Sequence, residues 1–435
     1  MKILNYSICV IFFVSIISRK EIMAQFTVSS ELRQRGECRY GYAELPVSVS
    51  EPAFFVSQRS RIILKYRQPK YSMCLSAQDV RVWGDESWYS STGIKGDNAA
   101  LDLHEAWIML NIGRHSGIKA GRQVLKYDDE RLLASRNWGQ SGLSYDALLY
   151  SYQKNNMQAD VVLSLNNDKE NIFGNDYPLG KIKTLDLFYL KRKFAGCLDV
   201  SCMALATGRQ KENTTSTIYI KGTYGIYSNY KKANTGASCS FYYQNGRNHY
   251  GSEVSAYFYS VSLSQKIPLI ELSLGVDHIS GQDMTVTDTV YPETDHLFDI
   301  FYGARHRYYG NMDYFSDVPV STCFAGLVDL YVKLGRSLDK YGTPGMDIHY
   351  FLSQQTVHNP AYPDDPAAGL ERSLGMEYDI SYSYRINKDI DIKAGYSLFT
   401  PFTSFKIMQT GTDHTNKGHW GWVMLTVAPE IIKKE

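Results

Sequence analysis

Residues 101–154 read LDLHEAWIMLNIGRHSGIKAGRQVLKYDDERLLASRNWGQSGLSYDALLYSYQK, and their pattern sets the fold. Ala106, Ile108, Leu110 and Ile112 are apolar at every second position, the period of a strand with one buried or lipid-facing side rather than of a helix. The tight turn Arg114-His115-Ser116-Gly117 leads to a second run, Ile118–Leu125. A long polar loop follows with Asp128, Asp129, Glu130, Arg131 and Arg136, and a third run returns over Ser144–Gln153. A short turn on one side and a long loop on the other distinguish the two ends of a membrane β-barrel.

The rest of the chain repeats this grammar. Alternation and turn signals predict about eighteen strands between residues 26 and 428, joined by links that run long, short, long, short. An even count starting at the inner end puts the short turns on the periplasmic side and the long loops outside. A soluble sandwich has no reason to sort its loops in this way. The expected fold is therefore all-β, a transmembrane antiparallel β-barrel forming one domain over residues 25–435. Closure is physically required, because an unpaired backbone group in hydrocarbon costs several kcal/mol. Tyr66, Trp83, Tyr150, Tyr152, Trp420 and Trp422 are the expected aromatic girdles.

The first residues look like an export signal: Lys2, an apolar core over Ile8–Ile17, and Ile22-Met23-Ala24 before Gln25. The predicted segment is 1–24. No later run is apolar for eighteen residues, so no transmembrane helix is expected. The formal charge is +1, and removing Lys2, Arg19, Lys20 and Glu21 leaves 1 − 3 + 1 = −1. That balance gives no support to a nucleic-acid partner. Six cysteines remain beyond Cys9, without a CxxC pair. They read as small apolar wall residues or as one bridge, and not as a zinc ribbon.

LHEAW, GRQ, DERL, NWGQ and YDAL in the stretch quoted above resemble the alginate-export family of outer-membrane barrels. So do DHLFDIFYGARHRYYGNMDYFSD (295–317) and GHWGWVMLTVAP (418–429). The resemblance implies a barrel in the outer membrane of a Gram-negative-type bacterium, with lumen arginines balanced by acids near a constriction. On the matched motifs these are Arg122, Arg131, Arg136 and Asp146. Phase leaves Arg122 open, since it runs with Ile118 and Ala120 and would leave Lys119 as the inward residue.

Charge patterning adds candidates of its own. Arg59, Arg61, Lys65 and Arg67 share one parity, and Ile62, Leu64 and Tyr66 share the other. Arg33 and Arg35 share a parity after Glu31. A cation facing lipid at the midplane costs about 2–4 kcal/mol, so these side chains are expected in the lumen. Rings of Arg or Lys favour anions, although an Arg/Glu ladder also serves simply to neutralise a packed interior. The loop 281–322 is too aromatic for a solvated tail. It is expected to pack inward, with Arg305 and Arg307 extending the cationic lining, or else to cap the barrel.

Catalytic and metal patterns are weak. His104-Glu105 begins like a zincin, but Ile108 stands where the second ligand belongs. Asp128–Glu130 lack any fixed ligand spacing for calcium. The expectation is a passive channel for an anionic or sugar-like solute, with outer-membrane lipid as its surroundings. No cofactor, metal or enzymatic activity is expected. A general porin and a plugged, surface-binding barrel are the alternatives.

Overall fold

A computed structural model describes residues 24–84, 100–174, 177–211, 214, 217–286, 293–365, 367–411 and 416–434. The first part of the barrel runs β1 Gln25–Tyr40, β2 Ala53–Arg67, β3 Tyr71–Val82, β4 Ala100–Asn111, β5 Ser116–Gln123, β6 Tyr145–Lys154, β7 Met157–Leu165, β8 Thr184–Phe194 and β9 Leu198–Gln210. The second runs β10 Ile218–Lys232, β11 Thr235–Arg247, β12 Glu253–Lys266, β13 Glu271–Ile279, β14 Leu327–Gly335, β15 Thr343–Ser353, β16 Ser373–Arg385, β17 Ile390–Pro401 and β18 Gly418–Val427. Each pairs antiparallel with the next, and β18 returns to β1 with Leu32 opposite Val427. The eighteen strands therefore form a closed barrel with no free edge. The proposed signal lies almost wholly outside the described residues.

Side-chain parity follows the membrane. On β2, Ile62 is 57 % exposed on the outer face, whereas its neighbour in the other phase, Arg59, is 0 % exposed. The same outward apolar phase carries Leu75, Ile108, Leu110, Leu148, Leu163, Phe188 and Phe241. Strands of eight to sixteen residues suffice for an apolar band at the usual tilt.

The connections sort by end as expected. Short links include 68–70, 155–156 and 233–234, and long ones 124–144, 280–326 and 354–372. Two depart from the rule: 248–252 is short among the long loops, and 336–342 is long among the turns. The tenth strand is one of the longer ones, 15 residues over Ile218–Lys232. The last strand breaks at Pro429, which has no N–H for the ladder, and resumes over Glu430–Lys434 against the start of β1. The helix Thr403–Thr410 in the loop after β17 was not anticipated. Trp83, Tyr150 and Tyr152 do lie on the outward phase, but Trp420 and Trp422 are inside, and the Trp420 indole N–H donates to Glu37 at 3.0 Å. All six described cysteines are free thiols.

The lumen is filled from within. In the loop 280–326, Phe298, Ile300, Phe301, Tyr309, Met312, Tyr314, Phe315 and Val318 are buried. They pack against the wall residues Tyr242, Phe258, Phe351, Phe399 and Trp420. A loop this apolar gains about 1.5–3 kcal/mol per fully buried large side chain by folding inward. The loop 124–144 joins it: the Tyr302 amide donates to the Leu132 carbonyl at 3.1 Å and the Ala304 amide to the Glu130 carbonyl at 2.8 Å.

Candidate functional site: a cationic cavity beside the inward loops

The wall arginines of β1 and β2 face inward, as their parity predicts, but they meet protein rather than open water. Arg33 donates to the carbonyls of Asn137 at 2.7 Å and Gly139 at 2.9 Å, and to Gln140 Oε1 at 2.9 Å. Arg35 reaches the Trp138 carbonyl at 3.0 Å and Glu37 at 2.8 Å. Arg59 is held by Glu31, the Gln140 carbonyl at 3.2 Å and Asn137 Oδ1 at 3.0 Å. Arg61 binds Gln78, whose amide donates to the Ser141 carbonyl at 2.8 Å. The ladder clamps residues 137–141 of the loop to the wall. Lys65 and Arg67, nearer the short-turn end, are exposed in the lumen.

The loop arginines divide the same way. Arg131 is buried against Asp277, with Ser260 Oγ at 3.2 Å and the Tyr308 ring 3.5 Å from its guanidinium carbon. Burial alone would lower its pKa; Asp277, the two tyrosines and Asp129 instead hold it well above the ordinary value. Arg136 donates to the carbonyls of Gly303 at 3.0 Å and Phe301 at 3.1 Å. Burial, then Arg305, pushes its pKa down. Arg305 donates to the carbonyls of Ser316 at 2.6 Å and Phe301 at 2.8 Å. Arg307 has 60 % of its side chain exposed and lies 3.9 Å from Glu130 of the loop 124–144.

Arg122 and Asp146 do not line the lumen. They form a pair at 2.9 Å on the outward phase of β5 and β6, in register with each other. Gln123 and Tyr145 occupy the inward phase, and Lys119 sits inside against the Trp107 ring at 4.7 Å. The twofold strand period admits only one phase inward, and here Lys119 and Gln123 take it. The acidic run in the same loop is engaged by protein groups: Asp128 accepts from Tyr189 and Ser201, each at 2.7 Å, and Glu130 from Ser135 at 3.0 Å.

Beside the clamped loops lies a cavity of about 850 Å³. Arg33, Arg136, Arg305, Arg307, Lys333 and Lys393 line it, against the acids Glu130, Asp313 and Asp347. Each acid is already engaged: Asp347 by Lys333 at 2.7 Å, Asp313 by His306 at 2.9 Å and by Tyr42, Glu130 by Ser135 and, at 3.9 Å, by Arg307. With six cations against three acids in the lining, the field left in the cavity is cationic. Trp138 and Trp422 add an aromatic flank, their rings edge to face at 4.8 Å. Lys333, Lys393, His306 and Trp138 were not singled out from the sequence. The two lysines stand alone on β14 and β17, where no ladder marks them, although their inward parity was readable.

No family model matches the chain, and no curated protein matches it. Solved structures do. OccAB1 from Acinetobacter baumannii superposes with a TM-score of 0.63 at 10 % identity, covering 94 % of this chain and 97 % of that one. OccAB4 from the same organism gives 0.60 at 11 %, covering 95 % and 99 %. The outer membrane protein OpdK from Pseudomonas aeruginosa gives 0.57 at 9 %, covering 94 % and 98 %. At such identities the likeness is one of fold, and that fold is the closed eighteen-strand antiparallel barrel of the outer-membrane type.

Proposed function

We propose that the protein is a passive channel of a Gram-negative-type outer membrane that admits a small anionic or sugar-like solute. The observation that carries this reading is the cavity, where six cationic side chains face three acids that are each already partnered. In a narrow lumen such charges are screened less than on an open surface, and an unbalanced cationic lining favours anions. The barrel fold shared with the Occ-type proteins and OpdK supports the channel. The stretches that resemble the alginate-export family name no solute and no family model matches them, whereas the solved structures bring out Occ-type barrels. Residues 1–24 are proposed to be the cleaved export signal.

The test uses Arg307 and Lys393, the exposed cations of the cavity lining. Under a salt gradient in planar bilayers the wild type should show an anion-side reversal potential, and Arg307→Glu with Lys393→Glu should move it toward the cation side. A wild-type potential on the cation side would defeat the reading. Liposome swelling that is faster with uronic acids than with neutral sugars separates it from a general porin, and no swelling at all would mark a plugged barrel.

A further inference from the structure

We propose that the barrel carries a second binding site, at its short-turn end, for a neutral molecule bearing several adjacent hydroxyls, of the sugar or polyol class. This goes beyond the channel reading, since occupancy of the site does not require that the barrel conduct.

The site is a cavity of about 460 Å³ around the short turn 233–234, between the neighbouring ends of β10, β11, β12 and β13. Its size falls within the range of about 300–1,000 Å³ of small-molecule pockets. It shares no lining residue with the cationic cavity. The stretch SVSLSQK (260–266), with serine at every second position, builds its main wall. Val261 and Leu263 are exposed on the lipid-facing phase, so Ser260, Ser262 and Ser264 point into the lumen. Ser238 of β11 stands opposite Ser262 and Gly236 opposite Ser264; on the other side Asn229 and Lys231 of β10 face Ser238 and Gly236. Two adjoining rungs of the wall are thus Asn229–Ser238–Ser262 and Lys231–Gly236–Ser264.

Small side chains make the hollow. A Cβ at Gly236 would fall 2.4 Å from Ser264 Oγ, so glycine is what leaves that hydroxyl its room. The Ser262 hydroxyl bonds to Tyr331. The side chains of Asn229, Asn234, Ser238 and Ser264 have no hydrogen-bond partner among the described residues. One rung further in, Ser240 is buried and its hydroxyl is likewise unpartnered among the described residues.

The donor set selects the ligand. A hydroxyl donates one hydrogen bond and accepts others, and a primary amide offers both kinds. A carboxylate only accepts and an ammonium only donates, so either would use half of such a lining. Adjacent hydroxyls use all of it. The charges are two lysines, Lys231 and Lys266, against Glu271, a far weaker field than six cations against three acids. An apolar solute would displace water from these groups without replacing its hydrogen bonds, and a site built to bond hydroxyls rejects analogues that lack them.

Saturation-transfer NMR on the intact protein, in a detergent without a sugar head group, tests this with sorbitol as the probe. Wild type should give a saturable sorbitol signal, and 1,6-hexanediol, the same chain with hydroxyls at its ends only, should give none. Ser238→Ala with Ser264→Ala should weaken sorbitol binding about tenfold, since each hydrogen bond lost is worth roughly a factor of two to ten. Different gel mobility of unheated and boiled samples shows that the variant is folded, and the comparison of the two probes on wild type is decisive without it. No saturable sorbitol signal, an equal signal from the diol, or sorbitol binding undiminished in the serine variant overturns the proposal. Binding lost in Arg307→Glu with Lys393→Glu, and kept in the serine variant, would place the sorbitol in the cationic cavity and overturn it as well.

Discussion

Asp299 lies between Lys221, 2.8 Å away, and Arg209, 3.1 Å away, and ties the inward loop to the wall of β9 and β10. Burial alone would raise its pKa; Lys221, Arg209 and the Phe301 amide hold it well below the usual carboxylate range. A carboxylate whose pKa is depressed on folding contributes its stability fully above the unfolded value, near 3.9, and loses it as pH falls through the lower folded value. Asp299→Asn should therefore cost about 2 kcal/mol, less than a fully sealed pair because part of the carboxylate meets solvent. Urea midpoints in detergent should show the same gap from wild type at pH 8 and pH 5, narrowing only below about pH 4. Single residues were partly legible in the sequence. Parity put Arg59 inside, but its partners Asn137 and Gln140 come from a distant loop that no local pattern connects to it.

The inward loop is an element with one narrow seat. Gly310 has φ +84°, and a Cβ there would fall 2.5 Å from Glu377 Oε2, while the Met312 amide donates to the same carboxylate at 2.8 Å. Gly310→Val combines a left-handed backbone that a β-branched residue resists, at about 1–3 kcal/mol, with a direct clash. The variant should keep the barrel's gel mobility but unseat residues 305–316, raising single-channel conductance and exposing Arg305 to trypsin. Unchanged conductance and protection would show that the loop tolerates the change. At this scale the strands were the readable elements, because the period-two alternation is local. The helix Thr403–Thr410 was not, since eight residues inside a loop are too few to display a helical period.

In the closed barrel the first residue of β1 is Gln25, paired with Arg67 at the short-turn end, and the final segment Glu430–Lys434 lies along the same strand. Cleavage after Ala24 would leave no overhang before the ladder begins, so the mass of the membrane-inserted protein should correspond to a chain starting at Gln25. A mass that includes residues 1–24 would refute the signal reading. By itself the sequence determined the barrel, its strand count, the sorting of its links and the inward phase of β1 and β2, because lipid on one face and water on the other write themselves into every second residue. Which charges remain available inside was decided only by tertiary structure. Arg33 and the Asn137 carbonyl are 104 positions apart, and Lys333, Lys393 and His306 come together from two strands and a loop. The alternation says which way a side chain points, and it carries no information about which distant loop folds back to meet it.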